Sequence, residues 1–283
     1  MSAVILDGKS LAATMRHGIK QEVYALNAEG TNPTLAVILV GDDPASRVYV
    51  SNKEKDCAKC GIRSIETHLP ADASQEELES LVKDFNSRDD VHGILVQLPL
   101  PKHLNERAIL DLIDPAKDVD AFHPANVGKI VRGDGELLPC TPAGVMALLD
   151  AYGIEIEGKE CVVIGRSNIV GKPMAQLLLS RNGTVTICHS RTNDLAEVCR
   201  RADILVSAVG KIGIVTADMV KPGAVVVDIA MNTNAEGKLC GDCTPDVSEV
   251  AGYLTPVPGG VGPMTRVLLL KNTITAAKAQ NAK

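Results

Sequence analysis

The stretch Cys161-Val162-Val163-Ile164-Gly165-Arg166-Ser167-Asn168-Ile169-Val170-Gly171 constrains this chain most. An apolar run enters a polar loop bounded by glycines, and a helix is predicted to open near Lys172-Pro173. A buried strand feeding such a loop and helix places backbone N–H groups and the positive end of a helix at one spot. That spot attracts phosphate. Pro173 suits the first helical turn, where a missing N–H costs nothing. The loop departs from G-x-G-x-x-G: its glycines stand at the first and seventh positions, and Ser167 stands where the second glycine would be. Taken alone, the stretch reads as either a nucleotide loop or a plain strand–turn–helix.

Its surroundings favour the first reading. Strands are predicted at 161–164, 184–188, 203–209 and 224–229, with helices between them, which is the alternation of a parallel α/β sheet. His189-Ser190-Arg191-Thr192 follows the second strand, where NAD-binding folds often carry a ribose-holding acid. Here Ser190 and Arg191 stand instead, with Arg166 in the first loop. Hydroxyl and guanidinium groups bind a ribose 2′-phosphate, so the pattern favours NADP over NAD. The plain alternative is a pair of exposed arginines.

The first half alternates in the same way and reads as one α/β domain. Leu35 to Val40 is an apolar strand broken by Gly41-Asp42-Asp43-Pro44. A helix is predicted from Arg47 to Cys60, with Ser46 as its cap. A strand at 63–69 follows, and a helix at 74–86 opens on the capping box Ser74-x-x-Glu77. The run from Gly93 to Pro101 is a strand stopped by prolines, and Gln97 lies near its carboxyl end, where open α/β sheets place ligand-binding groups. Helices are predicted at 105–113 and 142–152, and the Gly/Pro-rich passage 128–142 reads as a link.

Within the helix at 47–60, Tyr49, Lys53, Cys57 and Cys60 share one face, whereas Lys55 and Lys59 lie on another. Lys53 therefore reads either as a snorkelling lysine or as a partly desolvated amine with a lowered pKa. The chain has no Trp, 4 Tyr and 2 Phe, so a ring beside a polar side chain is informative. The loop Asp114-Pro115-Ala116-Lys117-Asp118-Val119-Asp120 is acidic, with Phe122 and His123 adjoining Asp120. Near the end, Thr255-Pro256-Val257-Pro258-Gly259-Gly260-Val261-Gly262-Pro263 fixes a bend while letting a ligand approach backbone.

A formal net charge of -6 argues against a nucleic-acid partner. No apolar run approaches the roughly 18 residues of a membrane span, and the first residues lack the pattern of a signal peptide. Cys57/Cys60 and Cys240/Cys243 form C-x-x-C pairs far apart in sequence. They read as unligated thiols in a reducing cytoplasm, with no metal expected.

Five stretches together resemble the bifunctional methylenetetrahydrofolate dehydrogenase/methenyltetrahydrofolate cyclohydrolase family. They are Tyr49-x-x-x-Lys53, Gly93 to Pro101, Asp114-x-x-Lys-Asp-Val-Asp120, Gly165-Arg-Ser-x-Ile-Val-Gly171 and Pro256 to Thr265. They stand in the family's order and span nearly the whole chain. The resemblance implies two α/β domains around a cleft, the second a Rossmann-like parallel-sheet NADP-binding domain. It implies a folate-binding catalytic domain at 1–141, joined by a C-terminal helix at 264–283, and a cofactor domain at 142–263.

By the same resemblance, Lys53 is catalytic with Gln97 as its partner. Tyr49 stacks on the folate rings, Asp120 holds the pterin, and Pro258, Gly259 and Gly260 line the substrate site. Gly165, Arg166, Ser167, Ser190 and Met231 contact NADP. The expected substrates are tetrahydrofolate derivatives of one-carbon metabolism, a route to purines, and a cytoplasmic homodimer is expected. Ala121 and Ala230 depart from the family, which usually has glycine at both. The rival readings are another two-domain NAD(P) dehydrogenase, of amino-acid or shikimate type, and a non-catalytic NADP sensor.

Overall fold

The computed structural model describes residues 2–281. The chain begins with β1 (Val4–Ile5), α1 (Gly8–Ala28), β2 (Thr34–Val40), α2 (Pro44–Cys60), β3 (Arg63–Leu69), α3 (Gln75–Ser87) and β4 (Gly93–Val96). Helices α4 (Glu106–Leu112), α5 (Pro124–Arg132) and α6 (Cys140–Ala151) come next. They are followed by β5 (Glu160–Ile164), α7 (Gly171–Ser180), β6 (Thr184–Cys188), α8 (Leu195–Arg200), β7 (Ile204–Ser207) and β8 (Val225–Asp228). The last elements are β9 (Asn232–Thr233), β10 (Leu239–Cys240), α9 (Val247–Val250), β11 (Tyr253–Leu254) and α10 (Val261–Asn281).

These elements form two compact units. One combines the chain up to Ala13 with Thr141–Thr265; the other combines Thr14–Cys140 with the segment from Arg266 onward. Each crossing of the chain between units falls inside a helix: α1, α6 and α10.

The unit containing Thr14–Cys140 is built on a parallel sheet ordered β3-β2-β4, with Thr34 opposite Arg63 and Leu35 opposite Gly93. Every residue of β2 is buried, as expected of a central parallel strand covered on both faces. Leu78, Val82 and Phe85 of α3 pack in a core with Ile38, Ile94 and Ile109. The α3 capping box forms as read: Ser74 and Glu77 each accept the other's backbone N–H.

Two local expectations change. The cap of α2 is Asp43, whose carboxylate accepts from the Ser46 N–H at 2.7 Å. Pro44 takes the first helical turn, where its fixed φ is already helical, and so pulls the start forward. The passage read as a link at 128–142 contains the second half of α5. That helix opens on His123, whose Nδ1 accepts from Ala125 N, and closes on Gly133 at φ +82°.

The other unit carries a parallel six-stranded sheet ordered β1-β11-β8-β7-β5-β6. Its amino-terminal edge differs from the expected 1–141 domain. Val4 N donates to Gly252 O and Leu6 N to Leu254 O, so these first residues complete this sheet. Strand order reverses between β6 and β7 around β5, and carboxyl-end loops diverge at such a switch point to leave a crevice.

Candidate active site

Lys53 sits half-buried on α2, and its Nζ donates to Gln97 Oε1 at 3.0 Å. Gln97 follows β4, so a helix and a strand end deliver the two partners to one place. The Gln97 amide is oriented by its other end, because Nε2 donates to Leu98 O at 2.6 Å. Oε1 is thereby left to accept from Lys53 in either protonation state. Burial pushes the Lys53 ammonium below the ordinary lysine range, against the pull of Asp120, Cys140 and Cys57; Arg266 pushes the same way as burial. Tyr49, one helical turn earlier, is 36% exposed.

The acidic loop is not a solvated turn, because each of its charged residues has a separate structural task. Asp114 Oδ1 accepts from Ala116 N. Lys117 Nζ donates to the carbonyls of Phe85, Asn86 and Arg88, closing the end of α3. Asp118 Oδ2 accepts from His123 N and Asn126 Nδ2. The Val119 carbonyl accepts from Asn272 Nδ2 at 2.7 Å and from the Cys140 thiol. The charge of Asp120 instead favours the Lys53 ammonium. Burial raises its carboxyl above the ordinary range, while the positive charge of Lys53 opposes that rise. The Cys140 thiol itself is pushed far up by burial and by Asp120. Sequence reasoning missed Cys140 and Arg266 as neighbours of the lysine, since no local pattern links either to α2.

In the other unit, a cavity of about 520 Å³ opens at the carboxyl ends of β5, β6 and β7. Gly165, Arg166, Ser167 and Ser190 line it, together with His189 and Lys211, which the sequence reading did not single out. Arg191 and Met231 are exposed and are not among the lining residues; the Arg191 N–H is held by His189 Nδ1. Gly165 has φ +121°, and a Cβ there would lie 2.5 Å from Ala208 O. The start of α7 has fewer unused donors than the sequence suggested. Ser167 Oγ accepts from the amides of Val170 and Gly171, and Lys172 N donates to Ser167 O. The Ser167 hydroxyl proton remains to donate outward. The wall formed by Val209–Lys211 is fixed by buried Asp242, which accepts the N–H groups of Val209, Gly210 and Lys211 and the Ser207 hydroxyl.

Pro258, Gly259 and Gly260 form a turn closed by Gly260 N donating to Pro256 O, and Lys9 N donates to Gly259 O. Ala121 lies at φ +57°, whereas Ala230 has no positive φ and is buried with its N–H on Asp228 Oδ1. Among the described residues, no cluster of His, Cys, Asp or Glu is arranged to hold a metal, and no helix is long and apolar enough to cross a membrane.

The family model for the tetrahydrofolate dehydrogenase/cyclohydrolase catalytic domain matches residues 6–120, and that for the NAD(P)-binding domain matches residues 139–281. The chain belongs to the tetrahydrofolate dehydrogenase/cyclohydrolase family. It is 56% identical to the bifunctional protein FolD of Ruminiclostridium cellulolyticum over 99% of both chains. It resembles the bifunctional FolD methylenetetrahydrofolate dehydrogenase/cyclohydrolase of Campylobacter jejuni at 49% identity and TM-score 0.96, covering 98% of this chain and 99% of that one. The Trypanosoma brucei enzyme, solved with NADP cofactor and inhibitor, aligns at 40% identity and TM-score 0.95 over the full length of both. The chain is thus a bifunctional dehydrogenase and cyclohydrolase of this family, and the amino-acid or shikimate alternative is set aside.

Proposed function

We propose that this chain oxidises 5,10-methylenetetrahydrofolate with NADP and hydrolyses the methenyl product to 10-formyltetrahydrofolate, with Lys53 as the proton-transfer group of the second step. The observation that carries this reading is the half-buried Lys53 amine, 3.0 Å from Gln97 Oε1 and within the field of Asp120. Bound NADP supplies the hydride acceptor. The oxidation leaves a cation stabilised by its flanking nitrogens and removes no proton, so the residues' task there is alignment. Tyr49 stacks on the folate rings, and Asp120 pairs with the amino and ring nitrogens of the pterin. Pro258, Gly259 and Gly260 line the rest of the substrate.

The hydrolysis moves protons and needs a group with an available lone pair. With one N–H held by Gln97, the neutral Lys53 amine has its lone pair left for a water proton. A cationic substrate biases Lys53 further toward that form. Arg166, Ser190 and Arg191 hold the ribose 2′-phosphate. The Ser167 hydroxyl donates to phosphate, Gly165 lets the ligand near the backbone, and Met231 covers it. The cavity's size and its lining by Gly165, Arg166, Ser167 and Ser190 support the roles of these four residues; those of Arg191 and Met231 rest on the sequence pattern and the family resemblance.

The unit containing Thr14–Cys140 is the folate-binding catalytic part, and the other unit is the NADP-binding part. The enzyme works in the cytoplasm as a homodimer. Lys53→Met tests the central role: cyclohydrolase activity is expected to vanish while dehydrogenase activity stays measurable. Equal loss of both, with folate binding intact, would overturn it.

A further inference from the structure

Arg266 lies early in α10, which follows the 256–260 turn in sequence, and its Nε is 3.2 Å from Asp56 Oδ2. The Asp56 side chain keeps 8% of its surface and that of Arg266 26%. Neither contacting atom has an aligned hydrogen-bond partner among the described residues, so this is a buried ion contact. Such a pair is costly to desolvate and a poor way to gain stability, which invites a reason for its position. Asp56 is three residues after Lys53 on α2, one turn along the same helix. The guanidinium acts on both site residues of that helix: it opposes the burial-driven rise of the Tyr49 phenol and disfavours the Lys53 ammonium.

We propose that Asp56 and Arg266 are positioning residues for the proton-transfer step: as an opposed pair of charges one helical turn from Lys53, they set the balance of charge at its amine. The inference rests on Lys53 acting as the base. Around that amine, Asp120, Cys140 and Cys57 favour the charged form, and Arg266 is the cation that opposes them. The Asp56 carboxylate, in contact with that guanidinium, offsets part of its field.

The pH profile of cyclohydrolase kcat tests the proposal, because its rising limb follows formation of the amine. Arg266→Gln is expected to move that limb to higher pH, and Asp56→Asn, which leaves the guanidinium uncompensated, to lower pH, each by roughly half a unit to one unit. The double variant is expected to return toward the parent profile. A merely structural role moves both single variants the same way, because loosened packing hydrates Lys53. Shifts in one direction, or none, would therefore overturn the proposal. Should a single variant fold poorly, NMR titration of the Lys53 Cε signal in the double variant keeps the test open: a midpoint displaced from the parent's by roughly half a unit or more also overturns it. Lys53→Met separates the two failures. If that variant retains a pH-dependent cyclohydrolase, the base assignment falls and takes this inference with it; if hydrolysis is lost but the limbs do not diverge, only the pair's role falls.

Discussion

Ala121 is fully buried at φ +57°, next to the carboxylate proposed to hold the pterin. An L-residue in this region costs about 1–2 kcal/mol. Replacing it by glycine removes that strain but adds about 0.5–1 kcal/mol of chain entropy and gives up about 0.8 kcal/mol of methyl burial. These contributions nearly cancel, so Ala121→Gly is expected to shift urea-unfolding stability by less than about 1 kcal/mol. Ala121→Val is expected to cost roughly 3 kcal/mol or more, because a branched Cβ suits this conformation poorly and the site is packed. Equal stability of the two variants would show that the turn relaxes freely. Ala230, the other departure from the family's glycines, carries no such strain. The resemblance drew attention to both positions, but only backbone geometry separates them.

At the scale of elements, the sequence was most readable where the signal is local. The bounds of β3 and β6, the capping box of α3 and the glycine that ends α2 all follow from neighbours in sequence. Pairings between distant segments were not readable. Val4 meets Tyr253, Asp56 meets Arg266, and Asn272 reaches the Val119 carbonyl, yet no spacing rule links these residues. The start of α1 is another case. A Cβ on Gly8 would lie 1.8 Å from Gly260 O, with further backbone atoms behind it. Neither side is a flexible side chain, so the 256–260 turn has to move. Gly8→Ala is therefore expected to lower Tm and raise KM for methylenetetrahydrofolate in the dehydrogenase assay, while NADP affinity by fluorescence titration stays near that of the parent. An unchanged KM would detach this turn from the substrate site.

For the whole molecule, the two edges of the six-stranded sheet are unequal. β1 spans two residues, a short edge that gives little for another chain to pair with. β6 spans five residues, Thr184-Val185-Thr186-Ile187-Cys188, paired to β5 on one side only. It has no lysine, proline or bulge, and Ile187 is 38% exposed. An unprotected edge of β-branched residues calls for a cover, and a second copy would supply one with the same strand about a two-fold axis. For the homodimer expected from the family resemblance, β6 is therefore the edge predicted to form the contact. Ile187→Lys places a charge where two such edges would meet, and like charges face each other across a symmetric contact. Sedimentation velocity is expected to show a dimer for the parent and a monomer for the variant at micromolar concentration, with the thermal transition of the unit retained. A variant that remains dimeric would move the interface away from β6.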